Sequence, residues 1–537
     1  MNIKKVLALL LSLVLVLGVV ACSKDSNENN VPQETKGQQQ QAEEPKVKDG
    51  GSITFAVGSD PNALNPLYAS DRVTMTINNA LYNPLFVMNE ENNRYYLAQD
   101  ISVSEDNLTY TVKLKDNLKW HDGEKITADD LVFTMEQILD EKQNSFLRDL
   151  FLIDDKPVQV SKVDELVVEF KLPKVLSSFM GSLAQVLPIP KHVFEGETDI
   201  AKSEKNETPI GSGPFKFKEW NKGESIILER FEEYYGGRPH LDNIVYRVIP
   251  DSNSAKVAFE GGEVSALYIE PKEFEKYKNE GSFNVFSYGE GMLDYMIFNQ
   301  NMDVLKNKDV REAIALAIDK EELVNGSYDS IKYADMANSI LTPDALYYTD
   351  DVRHFEYNAS KAKELLSKAG YENGLKLKMA YMNSRPKQQN QALIIQQKLK
   401  EIGIELELIA MERGAYYQKL LNPENKDFDL AFNGYVMGPE PDSYKSIYMT
   451  GQIYNISQYS NKEVDELWNK GAVETDKEKR KEIYVEIQKK IIDDIPIYPI
   501  AYPKSLIGVN KNIGGVEDAR TVPIFMFEDL SKLYVIE

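Results

Sequence analysis

The chain has one cysteine, four histidines and three tryptophans among its 537 residues. With Cys22 alone, no internal disulfide can staple the fold. The histidines (His121, His192, His240 and His354) are far apart in the chain, which argues against a histidine-ligated metal centre or a histidine-based catalytic site. There is no GxSxG elbow, no HExxH helix and no GxxxxGK[ST] phosphate loop. Carboxylate pairs such as Glu440 and Asp442 could in principle serve a glycosidase, but among 85 acidic residues such a pair carries little information. No metal, no organic cofactor and no turnover are therefore expected. Positive charge is also scarce. Lys and Arg number 62, leaving a net charge of −23, two units more negative once Lys4 and Lys5 leave with the leader described below. That balance argues against nucleic acid as a partner and against an anionic bilayer surface.

Long apolar runs are confined to the start of the chain. Lys4 and Lys5 precede an apolar stretch from Val6 to Val20, broken only by Ser12 and Gly18, and Val19-Val20-Ala21-Cys22 follows as a lipoprotein-type cleavage site. The run is short for a membrane span and ends at a small residue before cysteine, so residues 1–21 read as a lipoprotein signal peptide. Cys22 becomes the first mature residue and the point of lipid attachment. Residues 22–50, with Gln38 to Gln41 at their centre, hold few apolar side chains and read as a flexible tether. No later stretch is long enough to cross a membrane. The expected product is an extracytoplasmic globule of about three packing units, tied to the membrane only through Cys22.

Strand and helix signals alternate through the body. Leu108, Tyr110, Val112 and Leu114 fall on every second position and mark a half-buried strand, and Ile226–Leu228 and Ile244–Val248 read as further strands. Thr127 followed three residues later by Asp130 is a capping signature for a helix carrying Leu131, Met135, Ile138 and Leu139. Asp309, with Glu312 beyond it, is the expected cap of a second helix. A third is expected near Ser360 to Ala369, stopped by Gly370, and a fourth from Gln389 to Ile402, followed by the strand-like IELELIA. The class is α/β, in several lobes.

An ordered series of segments is more specific. SDPNALNPLYASD (59–71), YTVKLKDNLKWHDGEKITADDLVFTME (110–136) and LPIPKHVF (187–194) are followed by GSGPFKFKEWNKGESIILERFEEYYGGRPHLDNIVYRVI (211–249). NKDVREAIALAIDKEELV (307–324), FEYNASKAKELLSKAGYENG (355–374), FDLAFNGYVMGPEPDSY (428–444) and YSNKEVDELW (459–468) complete it. In order and spacing the series resembles solute-binding protein family 5, the extracytoplasmic receptors for peptides, nickel and some oligosaccharides, over essentially the whole mature body. Asn358 and Ser265 depart from residues frequent in that family. The peptide-binding members usually carry a Trp at the segment matching Tyr435, with an Asp three residues later that holds the peptide α-amino group. Here Tyr435-Val436-Met437-Gly438-Pro439-Glu440 is one residue shorter.

The resemblance implies a type II periplasmic-binding-protein-like fold, two lobes joined by a hinge with an additional inserted domain. Lobe I would comprise 51–84, 206–290 and 499–537, the inserted domain 85–205 and lobe II 291–498. The chain would cross near Tyr288–Tyr295 and Ile495–Tyr502. It further implies a monomer that captures short peptides between the lobes and hands them to ABC transporter permease subunits. Main-chain groups of 59–71 and 433–437 would pair with the ligand as added strands. Candidate ligand-binding residues are Asn65, Tyr295, Asn299, Tyr381, Asn383, Arg385, Tyr435, Glu440, Asp442 and Tyr502. Arg385 would hold a terminal carboxylate, and Glu440, or failing it Asp442, the amine. An oligosaccharide ligand, nickel binding and a surface lipoprotein hydrolase are the alternatives. A diacylglyceryl group has two chains, enough for stable anchoring, so Cys22→Ala should abolish incorporation of labelled fatty acid into the mature protein. Unchanged labelling would contradict the anchor.

Overall fold

The computed structural model of the protein describes residues 46–89 and 93–537. The leader, Cys22 and most of the tether lie outside the described residues. The strands used below are β1 (Ser52–Val57), β2 (Ala98–Val103), β3 (Thr109–Leu114), β4 (Gln159–Asp164), β5 (Val167–Lys171), β6 (Phe215–Asn221), β7 (Ser225–Arg230), β8 (Asn243–Val248) and β9 (Ala266–Tyr268). They continue with β10 (Phe283–Gly289), β11 (Met292–Phe298), β12 (Ala334–Met336), β13 (Leu375–Met382), β14 (Ile404–Met411), β15 (Leu430–Val436) and β16 (Ile497–Asn510). The helices are α1 (Arg72–Leu81), α2 (Ala128–Leu139), α3 (Lys308–Ala317), α4 (Ala359–Lys368), α5 (Pro386–Glu401) and α6 (Lys477–Asp494).

A mixed sheet of 12 strands runs β6-β7-β8-β1-β9-β16-β11-β15-β13-β14, with β10 and β12 also paired to β16. Two large apolar cores flank it. One gathers β1, β8, α1, α2 and the C-terminal segment, including Ile53, Leu81, Trp120, Phe179, Ile244 and Phe527. The other gathers β11, α3, α4, α5 and α6, including Ile297, Ile314, Ile395, Trp468 and Ile491. Strand β16 contributes to both, with Ile497, Tyr498, Ile500, Ala501 and Tyr502 in the second core and Ile507 and Val509 in the first. Strands β10 and β11 lie on the same side of β16 and are separated by Glu290 and Gly291. Gly291 has φ +63°, a value that a side chain disfavours. The break is bridged by one bond, from the Glu290 N–H to the Pro503 carbonyl at 2.9 Å.

The local signals formed where expected. In β3, Tyr110, Val112 and Leu114 are buried, and the strand pairs with β5 in the smaller sheet β2-β3-β5-β4. Thr127 and Asp130 form a reciprocal capping box at the start of α2. The cap of α3 differs from the sequence expectation. Asn307, not Asp309, accepts from the first turn, at 2.9 Å from the Asp309 N–H. Asp309 instead pairs with Lys368 at 2.8 Å. Two cap-competent residues lie two apart there, and packing of the apolar face selects the earlier one. Helix α5 also starts earlier than expected, because Pro386 occupies its first turn, where a missing N–H costs nothing.

The segment Gly211-Ser212-Gly213 fixes the end of α1. Gly213 N–H donates to the Leu81 carbonyl at 2.8 Å, and Asn83 N–H donates to Ser212 Oγ at 3.0 Å. A Cβ on Gly211 would stand 1.9 Å from the Leu81 carbonyl oxygen, so only glycine allows this approach. His121 clamps the same turn. Its Nδ1 accepts from Gly211 N–H at 3.0 Å, which leaves Nε2 to donate to the Gly213 carbonyl at 3.0 Å. That pairing requires the neutral ring, and desolvation drives the His121 pKa down to about 4. An unfolded histidine titrates near 6.5, so between those values the unfolded chain binds more protons. The His121 contribution is complete above about pH 6.5 and is lost as pH falls through 4, by at most about 3 kcal/mol. Replacing His121 by Gln should flatten unfolding free energy against pH across that window. Parallel profiles for variant and wild type would contradict this.

Candidate functional site

A cavity of about 1020 Å³ opens between the two cores. Its volume is at the upper end of ligand clefts, which run roughly 300–1,000 Å³. One wall comes from the first core: Met75, Asn78 and Asn79 of α1, then Asn83, Phe146, Leu150 and nine residues between Lys174 and Leu187. The facing wall comes from the end of β15 and the loop after it, Val436 to Glu440, with Asp442, Ala472 and Val473. Val522 to Phe525 close a third side. Most of these side chains are apolar. Phe146 (48%), Leu150 (39%), Val436 (43%) and Val473 (40%) are among the most exposed large apolar residues of the described chain, and all four face this cavity. Apolar surface left open inside a cleft marks a binding surface rather than a packing fault.

The two walls already touch at one edge. Ser177 N–H donates to the Ala472 carbonyl at 2.8 Å, and Ser177 Oγ donates to the Glu474 carbonyl at 2.5 Å. Ser178 Oγ reaches Asp442 Oδ2 at 3.5 Å. A Cβ on Gly181 would stand 3.1 Å from Glu440 Cβ. These contacts join segments from different cores at one edge of the cavity.

Several of the charges at the cavity are paired, although Asp149 and Asp344 line it with no ion pair among the described residues. Glu440 and Arg480 form a buried ion pair at 2.6 Å, and the Arg480 guanidinium stacks over Tyr484 and Tyr347 at 5.2 and 5.7 Å. Glu440 Oε1 also accepts from the Asp442 N–H at 3.1 Å and so caps the turn Pro441–Tyr444. Burial pushes the Glu440 carboxyl above its ordinary value, and Arg480 pulls it back. Asp442 Oδ1 accepts from Tyr484 at 3.1 Å, and Oδ2 accepts from Lys445 at 2.8 Å. Burial and the Asp442 carboxylate hold the Tyr484 phenol well above its ordinary value, so it remains the donor. Glu528, on the far side, sits between Arg94 and Arg520, with Tyr96 donating at 2.8 Å.

Of the ten ligand-binding candidates, Glu440 and Asp442 line this cavity, and the other eight do not. Most of those eight are engaged within the fold. Asn65 caps the turn Pro66–Tyr68 and donates to Asn206 at 2.9 Å. Asn299 donates to the carbonyls of Asn425 and Phe428, each at 2.9 Å. Tyr295 accepts from Asn433 at 3.1 Å, Tyr435 donates to the Ile340 carbonyl at 2.7 Å, and Tyr502 closes on Ser339 and Leu341. Tyr381 is buried at the end of β13, Asn383 pairs through its backbone with Met411 and exposes its side chain, and Arg385 is the N-cap residue of α5. Residues 59–71 contribute only Pro66 and Ala69 to the lining. Sequence reasoning missed Asn78, Asn79 and Asn83. Their signal was present, since Asn78 shares the buried face of α1 with Thr74, Ile77 and Leu81. Among the described residues, no helix is long and apolar enough to cross a membrane, and no group of three or more His, Cys, Asp or Glu side chains is placed to hold a metal ion.

Comparison with known proteins places this architecture. Residues 94–456 match the family model for bacterial extracellular solute-binding proteins, family 5. The oligopeptide-binding protein AppA of Bacillus subtilis is 30% identical over 540 residues, covering 96% of each chain. Its structure in complex with a nonapeptide superposes with a TM-score of 0.73, at 29% identity over 92% of this chain and all of that one. The ABC transporter substrate-binding protein CtaP of Listeria monocytogenes gives a TM-score of 0.88, at 46% identity over 91% of this chain and all of that one. The fold is the type II periplasmic-binding-protein-like α/β fold, two-lobed with an inserted domain, and its members are binding proteins rather than enzymes. The chain belongs to family 5 of the bacterial extracellular solute-binding proteins.

Proposed function

We propose that the protein captures short peptides rich in apolar side chains and presents them to the permease of an ABC importer, while anchored outside the cell by lipid on Cys22. The observation that carries this reading is the cavity of about 1020 Å³, apolar over most of its wall and bordered by surfaces from separate cores. Peptide binding by the similar AppA, whose structure holds a nonapeptide, supports the ligand class. The lobes are proposed as 51–84, 206–290 and 499–537 for the first, with 85–205 inserted in it, and 291–498 for the second. They would open by rotation about the β10–β11 break and its neighbour in β16, the hinge mode of closure. The protein would act as a monomer.

The acid that meets the peptide α-amino group is Asp442. Glu440 was the first choice on sequence, but its carboxylate holds Arg480 and the turn, whereas the cation paired with Asp442 is Lys445, a residue 40% exposed in its side chain and free to turn to solvent. Calorimetric titration of apolar tri- to pentapeptides, their N-acetyl forms and cello-oligosaccharides tests both parts. Free-amine peptides should bind wild type, and Asp442→Asn should weaken them by about 2–5 kcal/mol, the range for truncating a buried charge pair. Acetylated peptides should bind poorly to wild type and lose little more in the variant. Binding of the oligosaccharides without the peptides would overturn the ligand class, and equal affinity in Asp442→Asn would remove the anchor.

A further inference from the structure

The third side of the cavity is a hairpin that pairs Thr521–Val522 with Met526–Phe527. Its tip, Pro523-Ile524-Phe525, lines the cavity together with Val522. The tip is a γ-turn, closed by the Phe525 N–H on the Pro523 carbonyl at 2.8 Å, and Ile524 at its centre has φ +69°. A γ-turn with positive φ is rare and strained, and a β-branched residue in that region is an outlier. Arg520 (φ +53°) and Met526 (φ +71°) also lie in the left-handed region. Three of the seven residues from Arg520 to Met526 are thus held there without a glycine.

The surrounding fold holds the turn in this form. Phe527 is 1% exposed in the first core, 6.1 Å from Phe55. Asn79 Nδ2 donates to the carbonyls of Phe527 and Glu528 at 3.0 and 3.3 Å, and Glu528 is paired with Arg94 and Arg520. Thr76 of α1 and Tyr268 of β9 donate to the Ile524 carbonyl at 3.3 and 3.4 Å. The side chains of the tip have no such task, since neither Ile524 nor Phe525 belongs to an apolar core of the described chain. Strain that the rest of a structure over-determines clusters at functional sites.

The position of the tip indicates what it does. Behind the hairpin is a second cavity of about 480 Å³, lined by Arg94, Phe286, Arg520 and Thr521 among others. Val522 and Glu528 line both spaces, so the hairpin is the partition between them. On its other flank Pro523 meets the β10–β11 break. A Cβ on Gly291 would stand 3.2 Å from Pro523 Cγ and equally far from Asp344 Oδ2.

We propose that the Pro523-Ile524-Phe525 tip is a stop that sets the greatest length of peptide the cleft accepts. The stop rests on the peptide reading above. A ligand of the limiting length packs its last residue against Ile524 and Phe525. One residue more meets a turn that yields little, because its backbone is already strained and its carbonyl is tied to α1 and β9. Placed beside the break about which the lobes would turn, the tip keeps the same end of the cleft whether the lobes are apart or together.

Full-length wild type is incubated with a pooled ladder of synthetic apolar tri- to nonapeptides, and retained peptides are identified by mass spectrometry. Two variants are treated alike. In one, Pro523-Ile524-Phe525 is replaced by Asn-Gly, the two-residue turn that suits a hairpin. The other, Phe525→Ala, keeps the turn and removes one side chain that no core uses. Wild type should show a sharp upper length. The Asn-Gly variant should retain peptides at least one residue longer, and Phe525→Ala should move the limit the same way by less. A peptide one residue past the wild-type limit should bind the Asn-Gly variant at least about tenfold more tightly than it binds wild type. Peptides well below the limit should bind all three proteins alike. The same upper length in all three would overturn the stop and leave the peptide reading intact, as would retention of every length by wild type. Folded variants that lose peptides of every length would also overturn it, since the tip would then be a contact common to all ligands. If the Asn-Gly variant does not fold, an unchanged limit in Phe525→Ala decides against the stop. A wild type that retains no peptide removes the peptide reading and the stop together.

Discussion

Strand β16 starts among the side chains of one core, with Ile497, Tyr498 and Ile500, and ends among those of the other, with Ile507 and Val509. Twelve of its fourteen residues are buried, so neither core can move without the strand that both share. Prolines punctuate it. Pro499 and Pro503 lack the N–H that a central strand needs, and such residues are tolerated at edges and irregularities. Pro499 sits beside the register shift between Asp294 and Tyr295, and Pro503 faces the break between β10 and β11. The sheet is thus least regular where the chain passes between the cores. A continuous strand with a weak point holds two walls face to face and still leaves a place for them to turn.

Most of the charges around the cavity that results are held in pairs, and Asp149 and Asp344 are the acids on its lining that are not. Glu440 is matched by Arg480, Asp442 by Lys445, and Glu528 by Arg94 and Arg520. Removing one partner of a buried pair costs about 3–5 kcal/mol, which keeps Glu440 and Arg480 turned toward each other rather than toward a ligand. What remains for the ligand is apolar contact from Phe146, Leu150, Val436 and Val473, a few uncharged polar groups and the carboxylates of Asp149 and Asp344.

Much of the fold was legible because its signals are local. The alternation through Tyr110, Val112 and Leu114 needs only one buried face, and the Thr127–Asp130 box is closed within four residues. The order of motifs along the chain carried the family. The site was less legible, because its walls come from segments far apart in sequence. Tyr295, Tyr435 and Tyr502 look like binding residues in a strand, yet their hydroxyls meet partners within the second core. Asn78 looks like a helix-surface asparagine until the neighbours of α1 show which face is buried. The Asn307 and Asp309 ambiguity is smaller in scale but of the same kind, since tertiary packing chooses between two locally adequate caps.

Native mass spectrometry of the intact protein purified from growing cells, without refolding, addresses most directly whether this cavity holds peptide. The largely apolar cleft predicts added masses that leave on denaturation and fragment as short peptides enriched in apolar residues. Released molecules that fragment as saccharides, or a bound nickel ion with no peptide, would contradict it.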